Sequence, residues 1–435
     1  MTLTDLDATG AAAAIERGEL SSEELVRACL ERIVALEPRV RAFVDLKPEE
    51  ALAQARMLDR RRGSRRGALH GVPVAIKEIF DVQGMRCCWG TSFHKTRTPE
   101  RDAAAVARLR AAGAVILGTT VSTEYAIAAP GPTTNPHDAS RTPGGSSSGS
   151  AAAVAASMVP LALGSQTIGS IVRPATYCGV YGLKPTHGAI GTTGAMPLSA
   201  FLDHVGVVAR TPEDIALACH VLFDGYSGAS GSIAVGPSGL DEWEAPPQVF
   251  LLEGPLQWRI EESSRTALER ARTALESRRA RVTPRELPHD FKEAGAWLEI
   301  ILCRDIAANH GQDRDRAGNQ LSQRFRELVD RGRTISDAQY AEAIGHARQY
   351  RQSLLELLEG DSIIVAPATD GLAPTLAQGT GSPDLQGLYS LTGLPALAVP
   401  AGMVDGLPVG VQIVAAPGRE RHLLACAHAM RRDVN

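Results

Sequence analysis

The sequence has little lysine: five of its 45 basic residues are lysines and the other 40 are arginines. Aromatic residues are also sparse, at 4% of the 435 residues. The formal net charge is −4 at pH 7, which gives no net attraction to nucleic acid or to anionic membranes. Because the composition disfavours lysine, each lysine in an apolar segment is informative.

Cysteine pairs and long apolar runs are absent as well. The seven cysteines include no Cys-x-x-Cys pair, which argues against a disulfide framework and a structural zinc site. The longest weakly polar run, residues 151–163, is too short to span a bilayer, and Pro160 interrupts it. Residues 1–10 lack the pattern of a signal peptide. We therefore expect a cytoplasmic protein that binds neither membranes nor nucleic acid.

The remaining composition is typical of a folded globular protein, with 44% hydrophobic and 22% charged residues. At about 150 residues per domain, the length suggests about three domains. A strand is predicted at residues 72–76, a helix at 102–112 and a strand at 114–117. This alternation favours an α/β fold with a largely parallel sheet.

Helical periodicity dominates residues 258–358, where arginine and glutamate alternate with apolar residues. The arginines at residues 60–66 are interpreted as part of a solvated loop, and the Gly/Ser/Pro-rich residues 225–247 as a surface loop. Short apolar runs predict three further strands, at residues 362–365, 396–399 and 409–414.

Lys77 ends the apolar segment Gly-Val-Pro-Val-Ala-Ile-Lys at residues 71–77. Desolvation disfavours the ammonium form, so a lysine at the end of a buried strand tends to be neutral and basic. The ordinary alternative is a strand-end lysine whose amine extends to water. Taken alone, this segment does not decide between the two.

Two segments rich in glycine and serine follow, one at residues 144–150 around Ser146 and one at residues 164–174 around Ser170. In such tight turns consecutive backbone N–H groups can point at one oxygen, as they do in an oxyanion hole. Each segment alone could also be an ordinary turn or loop. Residues 145–149 formally match the G-x-S-x-G nucleophile elbow, but no β-branched strand precedes them.

Together these three segments resemble the amidase signature family, whose motifs occur here in the same order. The gap from lysine to the first serine is 69 residues, and the gap between the two serines is 24. Residues 178–186 and 393–412 resemble later segments of the family. The resemblance extends from about residue 20 to the end of the chain.

The resemblance implies a role for each matching residue. Ser170 would be the nucleophile and Lys77 the general base. Ser146, which in this family follows a non-proline cis peptide bond, would relay protons between them. The oxyanion hole would consist of backbone N–H groups of Thr167, Ile168, Gly169 and Ser170.

The resemblance also implies one large α/β/α domain over residues 1–435, with helices on both faces of a mixed central sheet. Residues 63–225 would carry the catalytic motifs. Residues 226–360 would form a variable helical segment that shapes the substrate pocket or an oligomer face. No cofactor or metal is implied. The expected partner is a small-molecule amide, and a homodimer is left open.

Three positions depart from the family pattern, which often has Asp, Gly and Arg where Gln166, Ile168 and Val172 stand; here an arginine follows, as Arg173. These changes leave in place the three catalytic side chains that the resemblance implies, the triad. They call into question the hydrogen bonds of the loop that contains Ser170, which is named the nucleophile loop. The bulk of Ile168 favours apolar or aryl acyl groups. Tyr125 is a candidate pocket residue, with an ordinary core tyrosine as the alternative.

Three functions stay open at this stage. The first is a stand-alone amidohydrolase for a small or medium, apolar or aryl amide or carbamate. The second is a glutamine amidotransferase component resembling the A-type subunit of the tRNA-dependent complex, although that component usually has Asp and Gly in place of Gln166 and Ile168. The third is a non-catalytic relative, against which the intact Lys77, Ser146 and Ser170 argue.

Overall fold

The computed structural model describes residues 2–60, 67–223, 240, 247–252, 260–287 and 289–434. The predicted arginine-rich loop, apart from its first residue, and most of the predicted surface loop at 225–247 lie outside the described residues. None of the described helices is long and apolar enough to cross a membrane.

In the described part of the chain, eleven strands form one sheet. In chain order they are β1 (Phe43–Leu46), β2 (Pro73–Lys77), β3 (Val115–Thr120), β4 (Leu161–Gln166), β5 (Tyr181–Lys184), β6 (His204–Ala209), β7 (Gln248–Leu252), β8 (Arg281–Arg285), β9 (Ile363–Pro367), β10 (Ala396–Val404) and β11 (Leu407–Val414). Their order across the sheet is β1-β3-β2-β4-β6-β5-β10-β11-β9-β7-β8.

The sheet is mixed, as the family resemblance implied. Strand β2 runs parallel to β3 and β4, and β7 runs parallel to β8 and β9. The other neighbouring pairs are antiparallel. The largely parallel sheet predicted from the local alternation is therefore wrong. One reason is the tight turn Asp405-Gly406, with φ values of 50° and 77°, which joins β10 to β11 as a hairpin.

Helices cover both faces of this sheet. Two of them, α5 and α6, pack directly on its strands and carry or follow the two serine-containing motifs. The helices are α1 (Ala8–Arg17), α2 (Ser22–Val40), α3 (Pro48–Asp59), α4 (Ala104–Ala111), α5 (Ser148–Ala155), α6 (Val172–Cys178), α7 (Pro212–Leu222), α8 (Glu262–Ser277), α9 (Ala294–Ala317), α10 (Gln323–Gly332), α11 (Asp337–Leu357), α12 (Asp384–Leu391) and α13 (Glu420–Val434).

The segment at 258–358 forms the predicted helices, namely α8 to α11, but it also contains one strand that the pattern did not predict. That strand, β8, lies at the edge of the sheet, and its arginines at both ends are exposed. Its sequence, Arg-Val-Thr-Pro-Arg, has no apolar run from which a strand could be predicted.

Two of the candidate catalytic residues lie close together because β2 and β4 are parallel neighbours within the sheet. Their register pairs Ile76 with Leu163, so the carboxyl ends of both strands reach the same edge. Lys77 ends β2, and the loop that contains Ser170 follows β4. This geometry brings together residues that are far apart along the chain.

Candidate active site

Lys77 is fully buried at the end of β2, and its amine faces two serines. The Lys77 Nζ donates to Ser146 Oγ at 2.7 Å and to Ser165 Oγ at 2.9 Å. Burial lowers the pKa of the Lys77 ammonium to about 7, against the opposing charges of Glu78 and Asp203. A substantial fraction of the amine is therefore neutral at pH 7 and able to accept a proton.

Ser146 lies shortly before α5 and is also buried. The peptide bond between Gly145 and Ser146 is cis, as the resemblance implied. Gly144 has a φ of 82°, and a Cβ there would lie 2.8 Å from the Pro174 Cα. Only glycine fits this position without displacing the start of α6, which explains the first glycine of this motif.

Ser170 lies in the short connection between β4 and α6. Its backbone carbonyl accepts a hydrogen bond from Ser147 N at 3.2 Å, which ties the two serine-rich segments together. Ser146 and Ser170 line the same cavity. The structure thus brings all three residues expected to form the triad into one neighbourhood.

Gln166 supplies the hydrogen bonds that its departure from the family pattern called into question. Its Oε1 accepts from Ile171 N at 2.8 Å and from Val172 N at 3.0 Å. Its Nε2 donates to Ser390 Oγ at 3.1 Å, and that hydroxyl donates to Ile168 O at 2.6 Å. The neutral amide therefore braces both ends of the nucleophile loop.

The loop leaves its own backbone donors available. Within the described residues, no acceptor binds the N–H groups of Thr167, Ile168, Gly169 and Ser170. Gly169 is packed tightly, since a Cβ there would lie 2.3 Å from Gln386 Oε1. A turn with fixed carbonyls and unused N–H groups is the arrangement that an oxyanion hole requires.

Replacing Gln166 by alanine tests this bracing. The change leaves Ile171 N and Val172 N without their acceptor, so we expect kcat to fall about 10- to 100-fold with little change in KM, less than the direct loss of an oxyanion donor. Steady-state kinetics checks this. The control is Gln54→Ala on α3, which removes an amide bound to Ala114 O. Equal kinetic losses in both variants would contradict the bracing role.

Arg173, the arginine displaced by one position, holds the cis peptide segment. Its Nε and Nη2 donate to Gly145 O at 3.2 and 2.7 Å, and its Nη1 donates to Gly381 O at 2.8 Å. Burial lowers the pKa of the guanidinium to about 10, so it stays charged at neutral pH. The arginine thus fixes the carbonyl directly before Ser146.

A cavity of about 580 Å³ opens onto the two serines. Much of its wall comes from α9, α10 and α12, which lie far from Ser146 and Ser170 in sequence. Exposed Lys292 and Arg324 also border it. The apolar side chains that line it are Ala126, Ile127, Ala128, Ile168, Phe291, Ala294, Leu298, Leu302, Leu328, Pro383 and Leu388.

Tyr125 does not line this cavity, although it was a candidate pocket residue. It is fully buried, stacks on Phe325 with ring centroids 4.2 Å apart, and donates to Asp313 Oδ2 at 3.0 Å. Its neighbours Thr123 and Ala126 line the cavity instead. Tyr125 is therefore a core tyrosine. It connects the loop that follows β3 to the helical segment within residues 226–360.

Sequence reasoning missed three polar residues that support the site. Ser165, which accepts from Lys77, lies inside the second serine-containing motif and could have been noticed as a hydroxyl at the end of a strand. Ser390 and Asp203 lie in segments without any pattern. Among the described residues, no group of three or more His, Cys, Asp or Glu is placed to hold a metal ion.

Comparisons with known proteins agree with this geometry. The family model described as Amidase matches residues 24–424. The A-type subunit of the glutamyl-tRNA(Gln) amidotransferase from Chloroflexus aggregans is 35% identical, over 98% of this chain and 96% of that protein.

Solved structures are similar over the whole fold. The native peptide amidase from Stenotrophomonas maltophilia has a TM-score of 0.87 at 30% identity, over 99% of this chain and 97% of that one. A second similar chain comes from an inhibitor-bound vestigial protein complex that reveals the evolutionary origins of an s-triazine catabolic enzyme. It has a TM-score of 0.89 at 30% identity, over 99% of this chain and 100% of that one.

The fold and the family are those of amide-cleaving hydrolases. The chain belongs to the amidase signature family.

Proposed function

We propose that the protein hydrolyses a small or medium amide through an acyl-enzyme on Ser170, with Ser146 and Lys77 as the proton relay. The observation that carries the proposal is the buried Lys77 amine, 2.7 Å from Ser146 Oγ, beside a loop whose N–H groups have no acceptor within the described residues. This combination supplies a base, a relay and an electrophilic site in one cavity.

In the first half-reaction, neutral Lys77 accepts the hydroxyl proton of Ser146, and Ser146 accepts the proton of Ser170. Ser170 Oγ forms a bond to the amide carbonyl carbon, and the N–H groups of Thr167, Ile168, Gly169 and Ser170 stabilise the oxyanion. The proton then passes through Ser146 to the amide nitrogen. The C–N bond breaks and the amine leaves in neutral form.

In the second half-reaction, water takes the place of the amine. The relay of Ser146 and Lys77 removes a proton from the water as its oxygen attacks the acyl carbon. The tetrahedral intermediate collapses, the bond to Ser170 Oγ breaks, and the relay returns the proton to that oxygen. The products are a carboxylic acid and an amine.

A fluorophosphonate probe tests the proposal directly, because it phosphonylates only activated serine nucleophiles. We expect intact-mass analysis of the protein to show one adduct, followed by hydrolysis in a screen of aryl amides, aliphatic amides and carbamates. No adduct on protein shown to be folded by circular dichroism would overturn the proposal in favour of a partner-dependent component or a non-catalytic relative.

We infer that the acyl group is apolar or aromatic. Ile168 lines the cavity beside the scissile position, and its Cγ2 lies 3.7 Å from where a Cβ on Gly387 would stand. Half of the other apolar lining residues, among them one phenylalanine and three leucines, come from the helical segment within residues 226–360. Their place in the wall supports the proposal that this segment of the single domain shapes the substrate pocket.

Replacing Ile168 by alanine is expected to broaden the site. Removing three methyl or methylene groups from a hydrophobic wall weakens discrimination by about 1 to 3 kcal/mol. The ratio of kcat/KM for an aryl amide to kcat/KM for acetamide should fall about 10-fold or more. Because the ratio uses one enzyme sample, it needs no correction for active fraction. A wild-type enzyme that turns over acetamide as well as the aryl amide would contradict the inference.

A second candidate function is that of a glutaminase component in an amidotransferase complex. The curated relative from Chloroflexus aggregans, the A-type subunit of a glutamyl-tRNA(Gln) amidotransferase, supports it through 35% identity over nearly the whole chain. Isolation of the protein from its native host with partner proteins, together with glutamine hydrolysis that depends on them, would favour this candidate. Full activity of the isolated chain on a simple amide favours the stand-alone hydrolase.

We propose a cytoplasmic location and either a monomer or a homodimer. All seven cysteines are free and buried in the structure, which suits a reducing compartment. Size-exclusion chromatography with light scattering distinguishes the two assemblies.

A further inference from the structure

The buried carboxylate of Asp203 accepts a hydrogen bond from the nucleophile loop. Thr167, the first residue of the loop, donates its hydroxyl to Asp203 Oδ1 at 2.7 Å. The other carboxylate oxygen, Oδ2, accepts from Leu198 N at 2.8 Å and from Ser199 N at 2.9 Å. Asp203 thus connects the loop to the turn that precedes β6 through three hydrogen bonds.

That turn is itself anchored on α9, the helix that also forms part of the cavity wall. Three α9 residues bind three consecutive residues of the turn. His310 Nε2 lies 2.6 Å from Pro197 O, Asn309 Nδ2 donates to Leu198 O at 3.0 Å, and Asp305 accepts the Ser199 hydroxyl. Asp203 therefore links the loop to a firmly held element.

The surroundings of Asp203 are buried and contain several titratable groups. Burial raises the pKa of the Asp203 carboxyl to about 6, and the nearby charge of Asp305 acts in the same direction. Lys77 faces it from β2 with an attractive charge. A second cavity of about 270 Å³ lies against Asp203, His187 and His204. Burial lowers the pKa of both histidines, which favours their neutral forms.

We propose that Asp203 is a positioning residue for the oxyanion hole, acting through the hydroxyl of Thr167. The ionised carboxylate accepts three hydrogen bonds at once, and it holds Thr167 so that the following N–H groups stay aimed at one point. Carboxylate acceptors form stronger hydrogen bonds than neutral ones. The inference rests on the proposed function, because it assumes that the loop stabilises an oxyanion.

Protonation of Asp203 is expected to weaken this support. The carboxyl is ionised at pH 8 and gains a proton as the pH falls through about 6. The protonated form carries a donor where two N–H groups and one hydroxyl need acceptors. Wild-type kcat should therefore fall more steeply below pH 6 than the titration of Lys77 alone produces.

Asp203→Asn tests the proposal, because asparagine has the same shape and no charge. At pH 8 we expect kcat to fall about 10- to 100-fold, less than or similar to the loss of a direct oxyanion donor, with KM nearly unchanged. Toward pH 5 the wild-type and variant rates should converge, since protonated Asp203 resembles asparagine. Thr167→Val should lower kcat similarly and make the Asp203→Asn change nearly silent.

The chain offers a matched control in Asp214 and Thr9. Asp214 is also a buried aspartate whose pKa is raised to about 6, and it accepts from the backbone N–H and the hydroxyl of Thr9. It does not line the catalytic cavity. Asp214→Asn should lower the melting temperature. Its kcat per titrated active site should equal that of wild type at each pH.

The outcomes separate the inference from the proposed function. A wild-type protein that reacts with the fluorophosphonate and hydrolyses an amide establishes the function first. If Asp203→Asn then keeps wild-type kcat, or if its rate differs from wild type by the same factor from pH 8 to pH 5, the positioning role is overturned. A wild-type protein without any adduct overturns the function instead.

Discussion

Ser170→Ala is expected to abolish both fluorophosphonate labelling and amide hydrolysis. Alanine has no nucleophilic oxygen, so the acyl-enzyme cannot form, and kcat should fall by about 10⁴-fold or more. The adduct mass seen on wild type should be absent from the variant. The side chain is small and only one hydroxyl is lost, so we expect a melting temperature close to that of wild type.

Ser263→Ala is the control for this prediction. Ser263 is a buried serine on α8 whose hydroxyl has no hydrogen-bond partner within the described residues, and it does not line the catalytic cavity. This variant should be labelled at the wild-type rate. An adduct that survives Ser170→Ala would show that another serine is the nucleophile, and peptide mapping of that adduct would identify it.

Lys77→Met should have the second-largest effect. Methionine retains most of the length and the apolar stem but removes the base, so Ser146 has no acceptor for its proton. We expect kcat/KM to fall by about 10³-fold or more, within the range of losses seen when a general base is removed. In wild type, kcat/KM should rise with pH through about 7, because only neutral Lys77 accepts a proton and its pKa is about 7.

Lys184 provides the matched control. It is also fully buried, burial lowers its pKa to about 7, and its amine binds the backbone carbonyls of Leu394 and Pro185 rather than a serine. Lys184→Met should lower stability, yet its folded fraction should be labelled by the probe with the wild-type pH dependence. A pH dependence that disappears in Lys184→Met and persists in Lys77→Met would show that Lys77 is not the base.

Local patterns were sufficient for the strand that ends at Lys77 and for the two glycine-rich segments. Each requires a special residue at a particular backbone position, such as Gly144 with its positive φ close to the cis bond at Ser146. The family resemblance then supplied the mixed sheet, which local alternation predicted as largely parallel. Neither the local patterns nor the family resemblance predicted the edge strand β8, because its residues are mostly polar.

The supports of the nucleophile loop could not be predicted in this way. Gln166 reaches Ser390 across 224 residues, and Thr167 reaches Asp203 across 36 residues. Neither partner lies in a segment with a periodic or compositional signal. The residues that line the cavity could not be predicted either, because α9 and α12 lie near Ser170 only in the folded chain.

The sequence by itself determined which residues are candidates for the chemistry of this protein: a lysine at the end of an apolar strand and two serines in glycine-rich turns. Those residues depend on local backbone geometry, and local geometry leaves a pattern in the chain. Only the tertiary structure decided how the loop is braced, that Tyr125 belongs to the core, and which side chains line the cavity. These properties depend on contacts between distant segments, and a side chain's partners across the fold leave no mark on its neighbours in sequence.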